Sequence, residues 1–177
     1  MGLLRHRHSD SAPANAYRMR EKLLAIGDDF WIENGEGERV FKIDGKALRV
    51  RDTLAFKDLD GHELLRVKER KLRVRDTMVI ERDGDTVATV HKALITPLRE
   101  RFKVELAGGG EYEVKGNIVD HEYTFKRDGR DVAEVSKRWF RVRDTYGVEI
   151  ADGEDDVLIL AAAIAIERLT DRPVDDD

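Results

Sequence analysis

The chain reads as an all-β-dominated fold: a closed, antiparallel, twelve-stranded barrel of successive hairpins enclosing a C-terminal apolar helix at about residues 155–169. Three observations lead there. A six-residue phrase occurs three times, as Leu48-Arg-Val-Arg-Asp-Thr53, Leu72-Arg-Val-Arg-Asp-Thr77 and Phe140-Arg-Val-Arg-Asp-Thr145, and each copy alternates apolar and charged residues with the period of a half-buried strand. Glycine-containing turns punctuate the chain at nearly even spacing. One segment alone abandons alternation and is apolar on every side.

The elements follow in order. Residues 1–15 are expected to be a flexible tail, 16–170 the barrel with its helix, and 171–177 an acidic tail. Turns are expected at Asn34-Gly35, Asp60-Gly61, Asp83-Gly84, Gly108-Gly109-Gly110, Asp128-Gly129 and Asp152-Gly153, six turns implying six hairpins. Asn-Gly and Asp-Gly suit two-residue hairpins because both central residues of a type I′ turn need positive φ. Between the turns, Phe30 and Ile32, Leu54 and Phe56, Met78 and Ile80, Phe102 and Val104, Tyr123 and Phe125, and Val148 and Ile150 each sit two apart, giving every strand one apolar face. The returning strands carry Val40-Phe-Lys-Ile43, Leu64-Leu-Arg-Val67, Val87-Ala-Thr-Val90 and Val132-Ala-Glu-Val135.

The segment Asp155-Asp-Val-Leu-Ile-Leu-Ala-Ala-Ala-Ile-Ala-Ile-Glu-Arg-Leu169 is a helix by composition, with aspartates at its positive end and alanines through its middle. Its run from Val157 to Ile166 covers about 15 Å at ~1.5 Å per residue, half of a bilayer's hydrocarbon core, so it is not a transmembrane span. An all-round apolar helix needs protein around it. A barrel of about eight strands is filled by side chains, so a larger one has room for a helix about 10–12 Å across.

Composition excludes several function classes. The chain has no cysteine, which removes disulfides, thiol nucleophiles and thiolate metal sites and fits a reducing, cytoplasmic setting, with a peripheral membrane association as its extension. The N-terminus, Met1-Gly-Leu-Leu-Arg-His-Arg-His8, lacks the long apolar stretch of a secretory signal. With 32 basic against 37 acidic residues, net charge −5, the chain does not read as a nucleic-acid binder.

A further set of residues carries a resemblance: Gly27-Asp-Asp-Phe-Trp-Ile-Glu-Asn34, Asp44-Gly-Lys-Ala-Leu48, Lys92-Ala-Leu-Ile-Thr-Pro97, Gly116-Asn-Ile-Val-Asp-His-Glu-Tyr123, Val135-Ser-Lys-Arg-Trp-Phe140 and Asp144-Thr-Tyr-Gly-Val-Glu-Ile150. Over about Tyr17 to Leu169 the chain resembles the LURP-one-related family, whose members share the fold of the Tubby C-terminal domain and of phospholipid scramblases. That resemblance implies a twelve-stranded barrel around a central hydrophobic helix. Tubby domains bind phosphoinositide head groups through a basic pocket, whose residues have no assigned counterpart here. The cysteine-rich and calcium-binding segments of scramblases are missing, so scramblase activity is not carried over.

Two candidate sites emerge. Lys46, Arg49 and Arg51, Lys71, Arg73 and Arg75, and Lys137, Arg141 and Arg143 accompany the three copies, and alternation sets the charges of each copy on one face. Such a stripe suits phosphates such as phospholipid head groups; the plain alternative is a solvated face paired with Asp52, Asp76 and Asp144. The second is Asp120-His121-Glu122, where a metal or general-base reading is set against a structural, partly buried histidine. Adjacent residues on a strand face opposite ways, so His121 shares a face with neither neighbour and a metal site would need ligands from other strands. His6 and His8 belong to the tail, where a chance metal contact is set against no function, and Trp31, Trp139 and Phe140 read as core or barrel-rim packing ahead of membrane-interface aromatics. The expectation is a non-catalytic module for an anionic partner, without cofactor or metal. The alternatives are a scaffold binding another protein and, behind it, an enzyme acting on a phosphorylated small molecule, which an apolar helix filling the barrel disfavours.

Overall fold

The computed structural model describes residues 15–20, 29–44, 53–71, 76–93, 101–140 and 145–170. Alternating sequence becomes twelve strands: β1 (Asn15–Arg20), β2 (Phe30–Asn34), β3 (Arg39–Asp44), β4 (Thr53–Lys57), β5 (Glu63–Lys71), β6 (Asp76–Arg82), β7 (Asp85–Lys92), β8 (Arg101–Leu106), β9 (Glu111–Asn117), β10 (Glu122–Arg127), β11 (Arg130–Ser136) and β12 (Thr145–Ile150). Each pairs antiparallel with its sequence neighbours, and β1 pairs with β12 over Asn15↔Ile150 to Arg20↔Thr145, closing the barrel. The helix, α1, spans Asp156–Thr170.

The turns divide by chemistry. At Asp83-Gly84 and Asp128-Gly129 both residues have positive φ, as a type I′ turn requires. At Asn34-Gly35 the loop is longer, because Asn34 Oδ1 accepts the backbone N–H of Glu36 (3.0 Å) and Glu38 (2.9 Å) and so organises its own turn. Asp152-Gly153 is not a hairpin: it carries the chain from β12 into α1. Five of the expected hairpins remain, β2 to β11, and β12 with β1 completes the twelve strands; β1 brings Tyr17 and Met19 inward without a turn signal nearby. Four hairpins share a register shift, opposite Ile32/Glu33, Phe56/Lys57, Ile80/Glu81 and Phe125/Lys126, that places one extra residue in the returning strand: Val40, Leu64, Val87 and Val132 respectively. A bulge bends its strand and increases the local twist, which suits a sheet that must curl into a closed wall.

Inward residues of all twelve strands converge on α1, whose residues Leu158 to Glu167 are all buried. The small side chains of Ala161, Ala162, Ala163 and Ala165, each fully buried, let the strands approach. The helix starts at the end of the barrel where the tight turns lie. Asp155 caps it, its Oδ1 accepting the N–H of Leu158 at 3.1 Å. A polar collar fixes this entrance: Arg82 meets Asp155 at 2.8 Å, Arg127 meets Glu154 at 3.3 Å, Tyr112 donates its hydroxyl to Glu154 at 2.9 Å, and Tyr17 donates to Asp156. No helix among the described residues is long and apolar enough to cross a membrane.

Candidate functional site

The opposite end of the barrel holds the described residues that adjoin the three copies, and His121. The described residues flanking the three copies, Asp44 and Thr53, Lys71 and Asp76, and Phe140 and Thr145, are strand ends or strand-adjacent residues at that end. Lys46, Arg49, Arg51, Arg73, Arg75, Arg141 and Arg143 lie outside the described residues, as do His6, His8, Asp52 and Asp144. Lys71 closes β5. Lys137 follows β11, half-buried, its backbone N–H donating to Glu122 at 3.1 Å.

The described parts of the copies behave alike. Thr53, Thr77 and Thr145 precede the inward-facing Leu54, Met78 and Tyr146, so their side chains lie on the barrel's outer surface, yet all three are buried. In the third copy the outer cover is visible. A Cβ on Gly147 of β12 would come within 2.5 Å of Trp139 and 2.7 Å of Phe140, so both rings lie flush on the strand's outer face. The Arg18 guanidinium sits 4.8 Å from the centre of the Phe140 ring. Trp139 and Phe140 thus pack outside the barrel wall rather than in its core. Trp31 does the same on β2, with Arg39 and Lys42 over its ring. Val119 and Trp139 remain exposed at this end, by 65% and 38%.

His121 does not lie on a strand. It ends the turn Ile118–His121, with φ 51° and its N–H bonded to Ile118 O at 3.0 Å. Asn117 holds this turn, donating from Nδ2 to Asp120 at 2.6 Å and accepting the Asp120 N–H at 3.2 Å. The turn directs the imidazole into the barrel mouth, where it stacks on Tyr146 with ring centres 4.3 Å apart and places Nε2 3.6 Å from Glu167 Oε1. Glu122, in contrast, faces outward and accepts the Ser136 hydroxyl at 2.9 Å. Sequence neighbours therefore serve different environments, and His121 is a buried histidine whose surroundings come from β12 and α1.

Glu167 was not singled out in the sequence, and it is the one buried carboxylate among the described residues. Tyr146 donates its hydroxyl to Glu167 Oε2 at 3.1 Å. Tyr123, 4% exposed, lies across from it, its phenol pushed above its ordinary range first by burial and then by the negative charge of Glu167. A cavity of about 130 Å³ opens between the turn and the helix end, lined by Ile118, Val119, His121, Tyr123, Glu167 and Thr170. A signal for it existed: Glu167 is the first charged residue after the apolar run, and a carboxylate carried into a barrel must meet polar groups there.

At the tight-turn end, Asp58, Asp60 and His62 bring their ligand atoms within 4.8 Å of one another. Their geometry serves the β4–β5 turn, since Asp58 accepts both the backbone N–H of His62 (2.9 Å) and its imidazole (3.1 Å).

Known proteins share this architecture. A family model described as LURP-one-related matches residues 16–167. The uncharacterized protein YxjI of Bacillus subtilis (strain 168) is 26% identical over 152 residues, spanning 85% of this chain and 91% of the relative. The X-ray structure of an Arabidopsis thaliana protein has the same fold, with TM-score 0.66 at 16% identity, over 92% of this chain and 94% of that one. A match that runs from β1 to the buried Glu167 places the whole barrel within one family, and the chain belongs to the LURP-one-related family.

Proposed function

We propose that this protein is a non-catalytic binding module that docks an anionic phospholipid head group on one end of its barrel, through Lys46, Arg49, Arg51, Lys71, Arg73, Arg75, Lys137, Arg141 and Arg143. The observation that carries this reading is the convergence, at the end opposite the tight turns, of the described strand ends that flank all three arginine-bearing copies. Exposed Val119 and Trp139 at the same end supply apolar and aromatic surface of the kind that settles at a lipid interface. Each Lys or Arg near an anionic leaflet contributes about 1 kcal/mol, so a few together give measurable, salt-sensitive association. The filled interior favours surface docking over turnover in a lumen, because α1 occupies the space an internal substrate would need.

Co-sedimentation with phosphatidylcholine vesicles, with and without phosphatidylserine, at low and moderate salt tests the reading. Binding to the anionic vesicles alone, weakened by salt and lost in Arg73→Glu/Arg75→Glu, is the expected result. Binding indifferent to lipid charge or to the reversal refutes it, and absence of vesicle binding at any salt directs the search to a protein partner.

A further inference from the structure

Val119 is the most exposed large apolar residue among the described ones, and it is held out rather than merely left out. It belongs to the β9–β10 turn, in a position usually given to Gly, Pro, Asn, Asp or Ser. Both of its flanks are anchored in the barrel, Ile118 by burial and His121 by stacking its buried ring on Tyr146. Asn117 spans the turn to Asp120 in both directions, donating from Nδ2 and accepting at Oδ1. At Gly116 the backbone runs so close to β10 that a Cβ would collide with it. A turn fixed by this many contacts presents its apolar tip in one geometry, so little ordering remains to be lost when a partner covers it.

Single exposed apolar residues are ordinary on protein surfaces, and Leu59, at 57%, is the fair comparison. It also sits in a turn, between β4 and β5, but at the other end of the barrel and between Asp58 and Asp60. Val119 instead has the third copy for a neighbour, because the β9–β10 turn lies next to the β11–β12 connection in the closed strand order. That connection carries the Arg138 side chain, 83% exposed, and the exposed Trp139, followed in sequence by Arg141 and Arg143. Asp120, the carboxylate of the turn itself, is engaged by Asn117.

We propose that the β9–β10 turn is the segment that enters the membrane: Val119 inserts beneath the head groups of an anionic leaflet, while the neighbouring cations stay at the phosphates and Trp139 at the boundary between them. This inference deepens the docking reading and rests on it, adding which segment penetrates and which way up the barrel stands. The two kinds of group act at different ranges. Charge draws the protein toward the leaflet over about 10 Å and weakens with salt, whereas the apolar tip acts only on contact and is indifferent to salt. One valine is short, so the penetration is shallow and the barrel wall stays outside the hydrocarbon core.

The chain has no cysteine, so a single thiol can be introduced wherever a probe is wanted. Val119→Cys and Leu59→Cys, each carrying a fluorophore whose emission shifts to the blue on leaving water, are mixed with phosphatidylcholine vesicles with and without phosphatidylserine, and co-sedimentation is read on the same samples. On the anionic vesicles the probe at 119 is expected to shift and to be quenched by phospholipid brominated on its acyl chains, while the probe at 59 does neither. Unlabelled Val119→Ser should bind these vesicles about tenfold more weakly with an unchanged salt dependence, and Val119→Leu should bind at least as tightly as the parent. A chain that sediments with the vesicles while its probe at 119 stays in water overturns the insertion and leaves the docking reading standing. Equal shifts at both positions, or unchanged affinity in Val119→Ser, overturn the insertion in the same way. Failure to sediment at any salt overturns both.

Discussion

Gly116 positions the turn that delivers His121 to the barrel mouth, and replacing it separates two effects usually confounded. Its φ is 143°, a value L side chains rarely adopt, and a Cβ there would lie 2.4 Å from the carbonyl oxygen of Glu122 and 2.6 Å from Tyr123 Cα. Both are backbone atoms of the partner strand β10, directly across the Gly116↔Tyr123 pair, so neither can swing aside. Gly84, in the β6–β7 turn, also has positive φ, 89°, but a Cβ there meets nothing within 4 Å. Gly84→Ala therefore reports conformational strain alone, about 1 kcal/mol, while Gly116→Ala adds a backbone collision and should cost about 4 kcal/mol. At roughly 2–4 °C per kcal/mol for a chain of this size, Tm should fall by about 3 °C and about 12 °C respectively. Urea denaturation followed by circular dichroism gives the free energies. A Gly116→Ala loss no larger than that of Gly84→Ala would show that β10 yields at this contact and would refute the reasoning.

Other outcomes follow from the same geometry. Ala162→Asp places an uncompensated carboxylate on a fully buried helix position and should cost several kcal/mol, enough to abolish cooperative folding, whereas Ala162→Ser should leave a folded protein; a soluble, cooperatively melting Ala162→Asp variant contradicts the enclosed helix. Gly147→Ala pushes against two movable rings rather than backbone, so it should lose about 1–2 kcal/mol and shift Trp139 fluorescence in a Trp31→Phe background; an unchanged spectrum would mean the rings do not rest on β12. The phenols of Tyr17 and Tyr112 are pushed up from their ordinary 10.0, first by burial and then by hydrogen bonds to Asp156 and Glu154. A group that holds its proton longer when folded contributes stability that is complete below pH 10 and is lost as pH rises beyond it. Stability should thus decline on the alkaline side, with a shallower slope in Tyr17→Phe/Tyr112→Phe than in the parent; equal slopes in urea midpoints across that range would remove the collar from the explanation.

Much of the barrel was legible because its information is local. Asp83-Gly84 and Asp128-Gly129 declare their turns through the φ they need, and the run from Val157 to Ile166 declares an enclosed helix by having no polar face. The strand β1 was harder, since Tyr17 and Met19 give only two inward positions and no Gly-containing turn precedes them. The repeated hexapeptide was legible as repetition, but alternation alone did not reveal that Phe140 would lie on the outside of β12 and that the threonines would be buried on the outer surface. The barrel-mouth site was least accessible. His121, Tyr146 and Glu167 reach one another from a turn, a strand and a helix, and each neighbour of His121 in the sequence has a different environment from its own. Contacts between such distant positions are decided by closure of the barrel, which no short window of residues encodes.

The pairing of β1 with β12 has a consequence for biosynthesis. Asn15 finds its partner only when Ile150 has been made, and α1 follows later still. Until then the nascent chain carries ten or more strands whose inner faces have neither a closing neighbour nor the helix that fills them. Hairpins can form as they emerge, but the wall cannot seal, so the barrel is completed after translation of its final helix in one late, slow event of high contact order. For that interval the open inner faces and unpaired edges of nascent copies are an aggregation hazard.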